Sequence, residues 1–178
     1  MTGTLTIILS FASYAFVILA MFRLFRINYF NPIVKIFATY LEPISKSIFF
    51  FLNPLLAALA LALLLQFISF YLAYSTGYEP LTLLFISIVD VINSCFRILF
   101  YCVIGSVILS WVAPGNNHPL LQIVEEMSGA ILQPIRKFVP PMGGLDFTPI
   151  IGLMLLNLIN TSFIQIISSM VWRFVLKN

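Results

Sequence analysis

Four long stretches of the sequence are almost entirely apolar, and each has the roughly 20 residues that a helix needs to cross a lipid bilayer. They cover about residues 4–22, 55–74, 84–111 and 150–174. The first two contain no charged residue, whereas the third contains Asp90 and Arg97. This pattern predicts an all-α membrane protein with four transmembrane helices.

Between the two spans of each half lies a segment whose apolar residues recur at helical spacing. In residues 31–52 these positions step by four, three, four and four, and a shift of 87 residues places them on apolar positions of residues 117–138. Such a stripe is typical of an amphipathic helix, which we expect to lie flat at the membrane surface. The positions are Ile33, Phe37, Tyr40, Ile44 and Ile48 in the first segment and Leu120, Val124, Met127, Ile131 and Ile135 in the second.

The same shift relates the other parts of the two halves. Asn31-Pro32 falls on His118-Pro119, and the second span falls on the fourth. We therefore expect two tandem repeats, residues 1–80 and 81–178, each built from a span, an interfacial amphipathic helix, a proline-rich elbow and a second span. Two spans return the chain to its starting side, so both repeats should have the same orientation.

The second elbow, residues 139–149, reads VPPMGGLDFTP. Prolines cannot continue the flat helix, and glycines permit the positive φ angles of a sharp reversal. Asp146 or Thr148 is placed to cap the last span, with Pro149 near its first position. The elbow is therefore interpreted as architecture, and its residues are Pro140, Pro141, Gly143, Gly144, Asp146, Thr148 and Pro149.

Composition supports a membrane protein without a separate soluble domain. Apolar residues make up 61% of the 178 residues, charged residues 8%, and the mean hydropathy is +1.08. Soluble domains carry about 25% charged residues. The net charge of +3 is small, so we expect no nucleic-acid partner.

The positions of the basic residues predict the orientation in the membrane. Six Lys or Arg residues follow the first and third spans, whereas the N-terminus and the loop between spans two and three contain none. The C-terminal end contains Arg173 and Lys177. The positive-inside rule then places both long loops in the cytoplasm and both termini on the opposite side of a bacterial inner membrane.

Two spans contain polar residues that support either a structural or a transport interpretation. Asp90, Asn93 and Arg97 share one face of span three. Arg97 can extend towards a surface-exposed Asp90, with its guanidinium near Asn93, or the three side chains can line an ion or solute path. The polar residues of span four either join helices or form a second wall of that path. They are Asn157, Asn160, Thr161 and Gln165.

The remaining chemical groups predict binding at the surface and no catalysis. Arg136 and Lys137 are placed to contact lipid phosphates or to dock a protein. His118 has no second metal-type residue near it, and Cys95 and Cys102 lie too far apart along a helix for a disulfide. No catalytic, metal or cofactor motif is present, so we expect neither an enzyme nor a cofactor.

The segment QPIRKFVPPMGGLDFTPI, residues 133–150, followed by an apolar helix, resembles the YggT family of integral membrane proteins. SWVAPGNNHP, which begins at Ser110, resembles the stretch that precedes the amphipathic segment in that family. The first half lacks the GGLD element, and Ser128-Gly129-Ala130 stands where members often carry Asp-Pro. The family pattern is matched by Arg136, Lys137, Pro140, Pro141, Gly143, Gly144, Asp146, Thr148 and Pro149.

The resemblance implies a non-enzymatic role, since no enzymatic activity is established for the family. It implies links to osmotic or ion-stress tolerance, cell division, or assembly of a plastid cytochrome complex. Two hypotheses follow. The first is a membrane organiser or assembly factor that acts at the cytoplasmic interface, with lipids, protein partners or a second copy as partners. The alternative is a small transport-like protein that supports ion or osmotic homeostasis.

Overall fold

The computed structural model describes residues 2–112, 118–139 and 146–175, and within these ranges the chain forms six helices and no strand. Four of the helices, α1, α3, α4 and α6, are long and apolar enough to cross a membrane. The predicted all-α fold, with four helices that are candidate membrane spans, is therefore confirmed. The helices are α1 (Thr2–Leu24), α2 (Pro32–Ile48), α3 (Pro54–Tyr74), α4 (Pro80–Val112), α5 (Pro119–Arg136) and α6 (Thr148–Val175).

Some boundaries differ from those expected from the sequence. Helix α4 begins at Pro80, four residues earlier than expected. Proline is favoured at the first position of a helix because the N–H that it lacks would have no acceptor within the helix there. Four of the elbow residues lie outside the described residues: Pro140, Pro141, Gly143 and Gly144.

Three helices begin with the same local device, a capping side chain directly before a proline. The side chains of Asn31, Asn53 and His118 precede α2, α3 and α5 and accept a backbone N–H at 3.0, 2.8 and 3.3 Å. Each cap satisfies one of the N–H groups that the first turn of a helix leaves without a partner. The starts of these helices are therefore specified locally by the sequence.

The most extensive helix packing joins α1 and α3. Ala57, Ala58 and Ala62 of α3 are fully buried, so the two backbones approach closely. The hydroxyl of Ser13 donates to the carbonyl oxygen of Ala62 at 2.7 Å. Small residues and hydroxyl hydrogen bonds are the usual means by which helices associate in a bilayer, where lipid is as apolar as the helices themselves.

The two short helices meet at one end of the four-helix bundle. Helix α2 packs on α1 and α3, α5 packs on α4 and α6, and α2 contacts α5. The Asn31 side-chain amide donates to the carbonyl oxygen of Pro119 at 2.7 Å, and the Asn28 N–H donates to Glu126 at 2.9 Å. We call this the α2/α5 end. The opposite end contains the start of α1 and the turn between α3 and α4.

The apolar stripe of α2 divides between the protein and its surroundings. Ile33 and Phe37 of the stripe pack against the buried core, whereas Tyr40, Ile44 and Ile48 are exposed. A row of exposed apolar side chains on a helix beside a membrane span is suited to contact lipid.

Two glycines let α5 pack closely on its neighbours. A Cβ atom at Gly152 of α6 would lie 2.8 Å from Cδ2 of Leu132, and one at Gly105 of α4 would lie 3.1 Å from Cγ1 of Val124. Real Cβ contacts are longer than the first distance, so a side chain at position 152 requires the Leu132 side chain, and with a large residue also α5, to move.

We predict that Gly152→Leu lowers the stability of the bundle, because its side chain has no space beside α5. Overpacking of this kind typically costs about 1–3 kcal/mol. The measurement is the thermal unfolding midpoint in mild detergent. The control is Gly3→Leu, since a Cβ atom at Gly3 meets nothing within 4 Å. Equal midpoints for the two variants would contradict the close packing of α5 on α6.

Candidate functional site

An ion pair joins the end of α5 to the start of α6 at the α2/α5 end. Nε and Nη2 of Arg136 donate to Oδ2 of Asp146 at 3.1 and 2.8 Å. The other carboxylate oxygen, Oδ1, accepts the backbone N–H of Thr148 at 2.9 Å and also its hydroxyl. Asp146 thus caps α6 while it holds the end of α5, and we call Arg136, Asp146 and Thr148 the α5–α6 clasp.

The electrostatics of the clasp favour the ionised carboxylate. The hydrogen bonds from Thr148, with the guanidinium of Arg136, lower the pKa of Asp146 below its ordinary value of 3.8. Thr148 is fully buried, so the part of the clasp nearest the bilayer is shielded from water. Arg136 and Asp146 are themselves partly exposed.

The clasp borders a cleft of about 500 Å³ between α4, α5 and α6. Ser110 and Glu125 contribute polar groups to its wall, and Pro149 lies on the same wall. The cleft is open to its surroundings, and its lining combines a guanidinium, carboxylates and hydroxyls. Such a lining can accommodate a polar group, and we assign no ligand to it.

The structure separates the two basic residues that the sequence placed together. Arg136 is held by Asp146, whereas Lys137 is exposed and forms no ion pair with any of the chain's six acidic side chains, all of which are described. Phe138, the next residue, is 85% exposed. Lys137 and Phe138 are therefore the part of this segment that is free to contact a lipid or a partner.

Within the bundle, one asparagine pair connects α4 and α6. The Asn160 side-chain amide donates to Oδ1 of Asn93 at 3.0 Å. The other polar residues of the α6 stripe, Asn157, Thr161 and Gln165, are exposed on the surface of the bundle. The structure therefore places Asn160 between helices and Asn157 on the cleft between α4 and α6 that Asn93 and Arg97 also line.

Arg97 forms no ion pair with Asp90, although the two groups are close enough to interact electrostatically. The described residues contain two ion pairs, Arg23–Glu42 and Arg136–Asp146, and no carboxylate lies within 4 Å of the Arg97 guanidinium. Arg97 instead borders two clefts. One, of about 490 Å³, lies between α4 and the α1–α3 pair, and the other, of about 320 Å³, lies between α4 and α6 and is also lined by Asn93.

Sequence reasoning missed the ion pair between Arg23, at the end of α1, and Glu42 of α2. The Arg23 guanidinium also stacks over the ring of Tyr29, 4.4 Å from its centroid. Only the fold of α2 back onto α1 brings these groups together, and no helical or local spacing connects residues 23 and 42. Among the described residues, no group of three or more His, Cys, Asp or Glu side chains could hold a metal ion.

Comparison with known proteins places this geometry in a family. The CCB3/YggT family model matches residues 85–176, just over half of the chain, a segment that contains Arg97, the Asn93–Asn160 pair and the α5–α6 clasp. The chain belongs to the CCB3/YggT family. The predicted family is thereby confirmed.

Relatives of this CCB3/YggT protein come from several bacteria. An uncharacterized protein of Pseudomonas aeruginosa is 35% identical over 157 residues, which cover 83% of this chain and 80% of the relative. The uncharacterized protein YggT of Escherichia coli K12 is 24% identical over 176 residues, which cover 94% and 93% of the two chains. An uncharacterized Haemophilus influenzae protein is 26% identical over 149 residues, 82% of this chain and 81% of its own. No solved structure matches this CCB3/YggT chain.

We predict that Asp146→Ala destabilises the protein by about 1 kcal/mol, the usual effect of losing a helix cap. The pKa of Asp146 is lower in the folded protein than in the unfolded chain. The stabilisation of the folded protein by ionised Asp146 is therefore complete above pH 3.8 and is lost as the pH falls through the lowered pKa. The difference in unfolding midpoint between wild type and Asp146→Ala should therefore be constant near neutral pH and shrink below pH 3.8. Lys137→Ala is the control, since Lys137 takes part in no ion pair. A difference that persists unchanged at pH 2 would show that the ionised carboxylate is not the stabilising group.

Proposed function

We propose that this protein is a non-enzymatic organiser of the bacterial plasma membrane, which recruits lipids and protein partners at its α2/α5 end. In this proposal the α2/α5 end faces the cytoplasm and both termini lie on the opposite side. Six of the nine basic residues lie at that end, Arg23 in the last turn of α1 and five more after α1 and α4, which supports the orientation through the positive-inside rule. The bacterial origin of the relatives supports the choice of membrane.

The proposal includes a duplicated architecture of two like-oriented units. Helix α2 begins at Pro32 and α5 at Pro119, which are 87 residues apart, the same interval that relates the two sequence halves. The helix contacts of the two halves also correspond. The contacts α1–α3, α2–α3 and α1–α2 have the counterparts α4–α6, α5–α6 and α4–α5. Two such units give the α2/α5 end a pair of short helices side by side, which is a broader surface than one unit offers.

The observation that carries the proposal is a set of exposed aromatic and basic side chains at the α2/α5 end. Aromatic and basic residues are the groups that bind at the boundary between hydrocarbon and anionic headgroups. The aromatic members are 70–94% exposed. We call this set the basic–aromatic rim, and its members are Phe30, Lys35, Phe50, Phe51, Lys137 and Phe138.

Three of the four acidic groups at this end have structural roles, whereas the fourth, Glu125, is exposed and lines the cleft between α4, α5 and α6. Glu42 pairs with Arg23, Glu126 accepts the N–H of Asn28, and Asp146 caps α6. A general base or metal ligand needs a carboxylate that is free to react, and these three are already engaged.

A second function, transport of an ion or small solute, is favoured by the position of Arg97 between two clefts. In that case the clefts form a polar path past Arg97. Cells that produce the Arg97→Ala variant at the normal level should then not survive a salt shock. Survival equal to wild type would exclude this function.

We predict that Lys137→Gln combined with Phe138→Ser removes the proteins that co-purify after crosslinking in native membranes. The variant removes one charge and one aromatic ring from the rim and leaves the clasp intact. The matched control, Glu79→Gln with Tyr78→Ser, makes equivalent changes at the opposite end, where Tyr78 is 54% exposed. The measurement is mass spectrometry after purification in mild detergent. An identical partner list for the rim variant and wild type would contradict the organiser function.

A further inference from the structure

Helix α6 is the span that the rest of the described chain covers least. In its most apolar stretch, within residues 148–167, 11% of the residues are buried, against 39% in α1 and 33% in α3. The inner face of α6 is marked by Gly152 and Leu156, which pack on α5 and α4, and by Asn160, which donates to Asn93 of α4. The outer side of α6 therefore faces the membrane or another protein.

Four exposed residues on that outer side form a seam at the spacing of paired helices. Ile150, Met154, Asn157 and Thr161 follow one another at steps of four, three and four. Ile150 is 57% and Met154 68% exposed. An average step of about 3.5 residues keeps a stripe of one helix in contact with a like stripe of a second helix. We call these four residues the α6 seam.

Asn157 places a polar group near the middle of the bilayer. It follows Thr148, the first residue of α6, by nine residues, or about 13.5 Å along the helix. The hydrocarbon core is about 30 Å thick, so its centre lies about 15 Å from either boundary. Lipid chains at this depth form no hydrogen bonds. An exposed carboxamide there is costly unless a neighbouring helix supplies its partners.

The carboxamide of Asn157 has hydrogen-bonding capacity that the described residues leave unused. Its Oδ1 accepts the hydroxyl of Thr161 at 3.5 Å, and no described residue accepts a hydrogen bond from its Nδ2. A carboxamide has two N–H donors and an oxygen with two lone pairs. Asn157 can therefore donate to an identical group and accept from it at the same time, which makes it self-complementary.

We propose that this protein forms a homodimer in the membrane through the α6 seam, in which Asn157 of each copy donates to Asn157 of the other. Both copies insert with the same orientation, so the two-fold axis lies along the membrane normal and brings residues of equal depth together. Each seam residue then faces its own counterpart. The dimer does not use the basic–aromatic rim, so it is independent of the proposed organiser function.

The chemistry of the seam favours a second copy over other occupants. Lipid chains would cover Ile150 and Met154 but would offer no acceptor to the Asn157 amide. An unrelated helix would need a matching polar residue at the same depth, which a second copy carries by symmetry. A dimer that packed through α4 instead would bring two exposed Arg97 guanidinium groups together, and like charges repel strongly where the dielectric constant is low.

The test measures dimerisation of the full-length protein in lipid vesicles. Copies labelled with a donor or an acceptor dye are mixed at a series of protein-to-lipid ratios, and energy transfer reports the dimer. Wild type should show more transfer than random encounters of monomers give. Asn157→Leu should need an about tenfold higher ratio for the same dimer fraction, the loss expected for two interhelical hydrogen bonds. Asn157→Gln, which keeps a carboxamide, should dimerise better than Asn157→Leu.

Ser162→Leu is the matched control. It also removes one exposed polar group from α6, but it lies outside the seam, so its dimerisation should equal that of wild type. Oxidative crosslinking in native membranes checks the symmetry. Met154→Cys should form a disulfide-linked dimer, because the two-fold axis brings both copies of this position together. Ile159→Cys, 52% exposed on another side of α6, should crosslink no more than wild type, whose Cys95 and Cys102 lie in α4.

The outcomes separate the dimer from the alternatives. Random-level transfer by wild type would overturn the proposal, and so would equal dimerisation of wild type and Asn157→Leu. Crosslinking through Ile159→Cys but not Met154→Cys would place the interface on another face and would also overturn it. Random-level transfer together with a co-purifying protein that Asn157→Leu loses would identify another protein's helix as the occupant. Loss of the dimer in Asn157→Leu with an unchanged list of co-purifying proteins would support the dimer and leave the organiser function untouched.

Discussion

The structure depends on the requirement that every backbone polar group be hydrogen-bonded wherever it is surrounded by lipid. Helices meet this requirement along their length, but the first turn of each helix leaves N–H groups without partners. At the α2/α5 end the chain starts a helix four times, and each start has a capping side chain: Asn31, Asn53, His118 and Asp146. These caps allow the chain to change direction repeatedly at one membrane surface, and the two short helices exist because of them.

The sequence predicts the elements well because their signals are local. Apolar length predicts the four spans, and the Asn-Pro and His-Pro pairs predict the starts of α2 and α5 to within a residue. The polar contacts could not be predicted in the same way. Arg136 looked available to lipid because nothing in a linear pattern shows that Asp146 lies against it. The sequence also could not show that Asn160, and not Asn157, forms the hydrogen bond to α4, because this depends on how α6 is rotated against α4.

The two ends of the bundle differ in the kind of polar group they present. At the α2/α5 end three of the four acidic groups, Glu42, Glu126 and Asp146, are engaged in hydrogen bonds or ion pairs, and the exposed groups include Glu125, lysines and aromatic rings. At the opposite end, Tyr74 and Tyr78 are exposed beside Glu79. A CCB3/YggT chain of this form therefore presents different polar groups at its two ends.

The hydrogen bond between Asn31 and the carbonyl of Pro119 connects residues 88 apart in the sequence. During synthesis, α1, α2 and α3 can associate with one another before α5 has been made, because their mutual contacts are all completed by Tyr74. Until the second half arrives, the Asn31 amide has only water or headgroups as partners. The order of synthesis therefore allows the first half to pack before the second half docks against it.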